Sequence, residues 1–301
     1  MTDVFVLGSI NQDFVLKVER RPNPGETVTG ADLSRGIGGK GANQAAAAAL
    51  LGASVTFLGR VGDDGFGEPL VQALGEKGID TRLVGRTSGE STGAAFITVT
   101  PDGENAITVA PGANRSLTPE DADAASEAIG KARVLSAQME IPVETVLRAV
   151  EVAAERGTRA VVNLAPVLEA PRELLEELDP LVVNEHEAAF LLGGGVEGVE
   201  AALSAAPELL SLGPRSAVIT VGAAGAAFAD GRGSGHVPAP EVDVVDTTGA
   251  GDAFVGALVT RLARGASLEE AVAYAVRAGA AAVTKEGAQG ALPTPETVEA
   301  L

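Results

Sequence analysis

Apolar and polar positions change their rhythm several times along the chain, and those changes mark out its elements. Val4 to Leu7 is a short β-branched and apolar run halted by Gly8, the pattern of a buried strand ending at a turn. Asn11 and Asp13 follow at once. From Phe14 to Ile37 the pieces FVLKVE and ETVTGADL alternate and are broken by Pro22, Pro24, Gly25 and Gly30, which predicts a small antiparallel sheet. A glycine cluster at Gly38 then opens an Ala-rich helix to about Leu51, a strand over SVTFLGRVG and a helix from Gly65 to Glu76. The alternating pattern returns in Gly93–Thr100 and Asn105–Val109, a hairpin around Pro101-Asp102-Gly103. Two separated insertions, about 13–37 and 92–111, are therefore expected to pair into one lid.

After Ser116 the helix-strand alternation resumes: helix 118–129, strand 133–138, helix 142–155, strands 159–164 and 180–183, helix 197–210, strands 216–221 and 225–229. Two long helices follow, about 250–264 and 267–284. That order predicts an α/β fold, a doubly wound and mainly parallel sheet flanked by helices, forming one domain over 1–301 with the small β-sheet lid attached.

Composition removes several functions. The formal charge of -19 opposes binding to a phosphate backbone, and with 8 Phe, 1 Tyr and no Trp there is little to stack on bases, so no nucleic-acid partner is expected. The absence of Cys excludes disulfides, thiolate nucleophiles and sulfur-bound zinc. The opening MTDVFVLGSI lacks the basic start and long apolar stretch of a secretory signal, and no run approaches the roughly 20 apolar residues that span a bilayer. A cytoplasmic protein without membrane contact is expected. His186 and His236 stand at no metal-ligand or triad spacing and read as surface or turn residues.

Chemistry concentrates in two stretches. In Asp246-Thr-Thr-Gly249-Ala250-Gly251-Asp252-Ala-Phe254 a strand-like run stops and an amphipathic helix starts. Small residues there let a ligand approach the backbone, and the free amides and dipole of a helix start suit charge developing on a transferred phosphoryl group. Asp252, in the first turn, is placed to take the proton of an attacking hydroxyl. As an ordinary Asp it would be ionised at neutral pH. The plainer reading is a tight turn with a capping carboxylate. The second stretch, Gly38-Gly39-Lys40-Gly41-Ala42-Asn43-Gln44, lets a polyol lie against glycine backbone, with Lys40 and Asn43 as donors, or else is a helix entry with a solvated lysine. No Walker loop occurs anywhere.

Together with Gly8-Ser-Ile-Asn11-Gln-Asp13, these stretches resemble the signatures of the ribokinase (PfkB-type) carbohydrate kinase family. Pro24–Gly30, Gly89–Gly93, Gly112-Ala-Asn114, Asn184-Glu-His-Glu187 and Gly287-Ala-Gln289 fall in that family's order, so the resemblance spans nearly the whole chain. It implies that Asn11, Asp13, Gly39, Lys40, Asn43 and Glu140 bind sugar hydroxyls. It implies that Asn184 and Glu187 serve the phosphates and their Mg²⁺, and that Thr220, Gly222 and Gly225 belong to the turn that carries ATP. Taken alone, Asn-x-x-Glu reads as a solvated helix start. A monovalent activator, K⁺, is implied at Asp246 and Thr248 and at the carbonyls of Ala282, Lys285 and Gly287. Ala291 stands where relatives often have Ser, and Val276 where they carry a polar residue near the adenine.

The resemblance implies an enzyme phosphorylating D-ribose with ATP. Another pentose or a nucleoside, such as deoxyribose or pseudouridine, is the alternative substrate, and a non-catalytic sugar sensor the alternative class. The exposed edges of the lid sheet, and the dimers of related enzymes, imply a homodimer formed through it.

Overall fold

The computed structural model describes residues 2–30, 32–101 and 105–301. The first half of the chain runs β1 (Thr2–Leu7), β2 (Asn11–Lys17), β3 (Leu33–Gly38), α1 (Lys40–Leu50), β4 (Val55–Gly62), α2 (Gly67–Glu76), β5 (Asp80–Thr87), β6 (Gly93–Val99) and β7 (Asn105–Ala110). Next come α3 (Pro119–Ala124), α4 (Ser126–Lys131), β8 (Ala132–Gln138), α5 (Val143–Arg156), β9 (Arg159–Asn163), α6 (Arg172–Leu175), β10 (Leu178–Asn184), α7 (Glu185–Leu192) and α8 (Gly198–Leu210). The chain closes with β11 (Ser216–Thr220), β12 (Ala226–Asp230), β13 (Gly233–Val237), α9 (Ala250–Ala263), α10 (Leu268–Ala282) and α11 (Pro295–Glu299).

Among the described residues, nine strands form one sheet in the order β13-β12-β11-β10-β9-β8-β1-β4-β5. All pairings from β5 to β11 are parallel, and β12 and β13 close one side antiparallel. The parallel strands bury both faces, as such sheets must. Val4, Val6, Val134, Val182 and Val218 point into one core with α1, α9 and α10, whereas Phe5, Leu7, Leu135, Leu181 and Ile219 enter the other with α5 and α8. That strict alternation explains why these runs read as continuously apolar. The expected doubly wound α/β sheet is present, and no helix among the described residues is long and apolar enough to cross a membrane.

Three expectations need correction. β5, absent from the sequence reading, pairs only with β4 at the sheet edge, so its half-exposed DTRLVGRT carries no apolar run. Helix 118–129 is two short helices, parted at Ala125 (φ -87°, ψ 2°). The small sheet, ordered β3-β2-β6-β7, is mixed rather than antiparallel: each hairpin is antiparallel, but they join through the parallel pair β2–β6. Of the turn assigned to Pro101-Asp102-Gly103, the last two residues lie outside the described ones.

One packing contact positions the site. α1 crosses α9 so closely that a Cβ at Gly256 would sit 2.4 Å from the Ala47 methyl and 2.9 Å from the Gln44 carbonyl oxygen. The Ala-rich face of α1 and this glycine bring the start of α1 beside the start of α9.

Candidate active site

The carboxyl ends of β1, β8, β9, β10 and β11 present Gly8, Gln138, Asn163, Asn184 and Thr220 to one rim of the sheet, where doubly wound folds bind ligands. Over this rim stand the starts of α1 and α9. Gly249 caps α9 with φ 79°, a left-handed conformation that glycine adopts at no steric cost. The Ala250 amide turns back to the Thr247 carbonyl (3.3 Å), and the first bond along the helix runs from the Ala253 amide to the Gly249 carbonyl (2.9 Å). The intervening first-turn amides of Gly251 and Asp252 precede any intrahelical partner and are available to an anion.

Asp252 is buried at 7 % exposure. Its Oδ2 accepts from Asn43 Nδ2 (2.9 Å) and its Oδ1 from Gln44 Nε2 (3.2 Å). Burial pushes this carboxyl above the ordinary carboxylate range, against the pull of Lys40 and the two amides, and Glu140 adds to the rise. The expectation of an ordinary Asp is thus corrected: its ionisation depends on Lys40, Asn43 and Gln44. Lys40 answers in kind. Burial alone would lower its ammonium, but Asp252, Glu140 and Glu187 outweigh that and hold it above its usual value.

Asp252 borders a cleft of about 150 Å³ lined also by Lys40, Asn163, Asn184, Glu187, Thr220, Gly249 and Gly251. Asn184 and Glu187 cap α7 reciprocally: Asn184 Oδ1 accepts from the Glu187 amide and Glu187 Oε2 from the Asn184 amide, both at 2.8 Å. The helix-start reading is therefore also true, but Glu187 is not solvated. It is 4 % exposed, and burial raises its carboxyl despite the Asn184 amide and Lys40. Gly222 and Gly225 frame the turn after β11, with Val221 N donating to Gly225 O (2.8 Å), and they do not line this cleft.

On the other flank stand the residues assigned to the sugar. Glu140 Oε2 accepts from Ser9 Oγ (2.6 Å) and from the Lys40 amide (2.9 Å), which ties Gly39-Lys40 to the end of β1. Asn11 Oδ1 accepts from Asn114 Nδ2 (2.8 Å), whose own Oδ1 holds the Ile10 amide (2.9 Å). Asp13 projects from β2 with a buried Oδ1 that has no hydrogen-bond partner, an acceptor left open. Burial, then Glu140 and Asp252, raise its carboxyl to about 7.

The residues assigned to a monovalent cation are partly assembled. Asp246 accepts from the Thr248 amide (2.9 Å) and from the Gly287 amide (2.8 Å), which closes the two loops on each other. Lys285 and Ala291 line a separate cavity of about 110 Å³ with Thr284 and Thr297. Ala282 is buried in the core. Val276 is buried in the core at 5 % exposure and does not border the main cleft. His236 sits on strand β13 rather than in a turn, its ring Nε2 2.7 Å from the Ala224 carbonyl. Among the described residues no group of three or more Asp, Glu or His forms a metal cage.

Sequence reading named no role for Ser9, Gln44, Asn114, Asn163 or Gln289. All lie inside or beside quoted motifs except Asn163. That residue closes β9 and reveals itself only when the sheet brings strand ends together.

The chain is similar to known sugar kinases over nearly its whole length. The pfkB family of carbohydrate kinases matches residues 1–295. The ribokinase of Staphylococcus aureus is 40 % identical over 98 % of this chain and 98 % of its own length. The deoxyribokinase of Salmonella typhimurium is 36 % identical over 98 % of this chain and 96 % of its own. The structure of Arabidopsis thaliana ribokinase complexed with ribose and ATP is 31 % identical, with a TM-score of 0.92 over 99 % of this chain and 98 % of that one.

Proposed function

The chain belongs to the pfkB family of carbohydrate kinases, and from that premise we propose that it transfers the γ-phosphoryl group of ATP to O5 of D-ribose, giving ribose 5-phosphate and ADP. The observation that carries this reading is the buried Asp252 carboxylate at the start of α9, between the sugar-side residues and the cleft holding Lys40, Asn184, Glu187 and Thr220.

Ribose binds with its hydroxyls on Asn11, Asp13, Gly39, Lys40, Asn43 and Glu140. Asp252 accepts the proton of the 5-hydroxyl as that oxygen forms a bond to the γ-phosphorus and the bond to the β–γ bridging oxygen breaks. Such transfers pass through a loose transition state in which positioning and charge stabilisation do most of the work. Gly249, Ala250 and Gly251 shape the anion hole, where the Gly251 and Asp252 amides face the charge gathering on the transferred group. ATP lies along Asn184, Glu187, Thr220, Gly222, Gly225 and Gly251.

One buried acid, Glu187, at the phosphate end suits a divalent ion whose other ligands are phosphate oxygens and water. Held there by Glu187 and ATP, Mg²⁺ would neutralise phosphate charge. The loops that Asp246 joins, with Thr248, Ala282, Lys285, Gly287 and Ala291, suit K⁺ held chiefly by carbonyls, since Ala291 offers no hydroxyl.

The small sheet acts as a lid over the sugar, its Asp13 face turned inward, excluding water as it closes. Register sets Phe14, Leu16, Leu33 and Phe96 on one face and Asp13, Ala95, Ile97, Ile107 and Val109 on the other. On the Asp13 face Ile107 and Val109 are 53 % and 46 % exposed, apolar surface that reaches past the sugar and that a second copy covers in a homodimer.

A coupled ADP-release assay across ribose, deoxyribose, fructose and nucleosides, with and without K⁺, tests the assignment. The highest kcat/KM is expected on ribose. The similarity to a deoxyribokinase makes deoxyribose the second reading, and a clear preference for it would replace the first.

A further inference from the structure

The strongest organised polar network outside the assigned ligand contacts runs through Gln44. This residue is completely buried on the first turns of α1, and every polar atom of its side chain is engaged. Nε2 donates to Asp252 Oδ1 and to Asn163 Oδ1, each at 3.2 Å. Oε1 accepts from Gln138 Nε2 (2.7 Å) and from Ser136 Oγ (3.4 Å). The direction of this chain is forced. A carboxylate only accepts, so the NH₂ end of Gln44 must face Asp252, and its carbonyl end must then find donors on the opposite side. β8 supplies both of them, Ser136 and Gln138.

Asn43 holds the other carboxylate oxygen, but it is also assigned to the sugar and bonds Gln289 through its own Oδ1 (3.2 Å). Gln44 has no such second duty. Its backbone is pinned by the α1–α9 crossing, where its carbonyl lies under Gly256.

We infer that Gln44 is a positioning residue for phosphoryl transfer: its amide, locked by Gln138 and Ser136, fixes the plane of the Asp252 carboxylate and directs its free lone pair toward the sugar hydroxyl. The inference rests on reading Asp252 as the base. An amide that donates to the ionised form alone also opposes protonation of a buried acid, which is the form that cannot catalyse. The charged groups facing Asp252 are Lys40 on α1 and, from the sugar side, Glu140 and Asp13.

Steady-state kinetics with ribose between about pH 5 and 9 tests this, on Gln44→Met, Gln44→Glu and Asp252→Asn. Losing a hydrogen bond to a charged group predicts a fall in kcat of about tenfold to a hundredfold in Gln44→Met, with KM for ribose within about threefold. In Gln44→Glu a second carboxyl meets Asp252, and the acid limb of kcat moves up by about one pH unit or more. A folded Gln44→Met with wild-type kcat, or a folded Gln44→Glu with an unmoved acid limb, overturns the inference. A merely structural glutamine would lower stability and leave kcat and the acid limb in place.

Should both Gln44 variants fail to fold, Gln138→Met, which removes the shorter bond locking the amide, must still lower kcat without raising KM. An unchanged kcat there is equally fatal. Asp252→Asn separates the two readings: if it stays active the base is misassigned, whereas an inactive Asp252→Asn beside unaffected Gln44 variants rejects Gln44 alone.

Discussion

At the scale of single residues the site is a balance of charge in a partly dry space. Asp252, Glu140 and Glu187 gather around Lys40, Asp13 faces Glu140 and Asp252, and burial pushes Asp13, Asp252 and Glu187 above their ordinary range because it disfavours the charged form. Asp13 gives a prediction with a definite sign. Its carboxyl titrates near 7 in the folded protein and near 3.8 in the unfolded chain, so between those values the folded state holds the extra proton. Its contribution to stability therefore declines as pH rises from about 4 to about 7 and is flat above. Melting temperatures of the ligand-free protein across that window should fall less steeply in Asp13→Asn than in the wild type. Equal slopes would mean that Asp13 is ionised throughout. Asp252 and Asn43 stood out in the sequence because their residue types sit beside glycines at helix starts, whereas Glu187 was marked only by the family resemblance. Asn163 was passed over and Gln44 undervalued, because a buried amide acquires its meaning from partners on other strands.

Elements explain why those residues meet. Strand alternation and the Ala-rich α1 were plain in the sequence, since each follows from a local period, 2.0 or 3.6. The edge strands β5 and β13 were not, because a half-exposed strand with charged or glycine-rich composition leaves no periodic signal. Nor does local sequence reveal that β2 and β6 pair in parallel across three intervening strands and two helices. The crossing of α1 and α9 carries the most consequence. In Gly256→Ala the new methyl would meet Ala47 and the Gln44 carbonyl, so the helices must part. Overpacking of this kind costs about 1–3 kcal/mol, and chemical denaturation should register it. Because Asn43 and Gln44 ride on α1 while Asp252 rides on α9, kcat should fall as well, and a variant of normal stability and turnover would show that the contact is not needed.

At the scale of the whole molecule, the nine-stranded sheet of the described residues carries its ligand-bearing rim on the side where the four-stranded sheet projects. Lid and body already touch through one aromatic pair, Phe14 packing edge-on against Phe66 at 5.6 Å between centroids, while Phe14 stacks on Phe96 within the lid at 5.3 Å. The exposed apolar side chains Ile107 and Val109 are those the proposed second copy would cover. Light scattering should give the mass of a dimer for the wild type and of a monomer for Ile107→Asp, whose side chain is 53 % exposed and not needed by the single chain. A wild-type monomer at working concentration would contradict the dimer and leave the chemistry untouched.

The chemistry itself is tested most directly by Asp252→Asn, an exchange that keeps the shape of the side chain and removes its basicity. Ribose phosphorylation is followed by ADP release, and ribose binding by calorimetry on the same preparation. Loss of a general base predicts a fall in kcat of roughly a hundredfold to ten-thousandfold while the ribose Kd stays within a few-fold of the wild type. Turnover near the wild-type rate in a variant that still binds ribose would contradict the account.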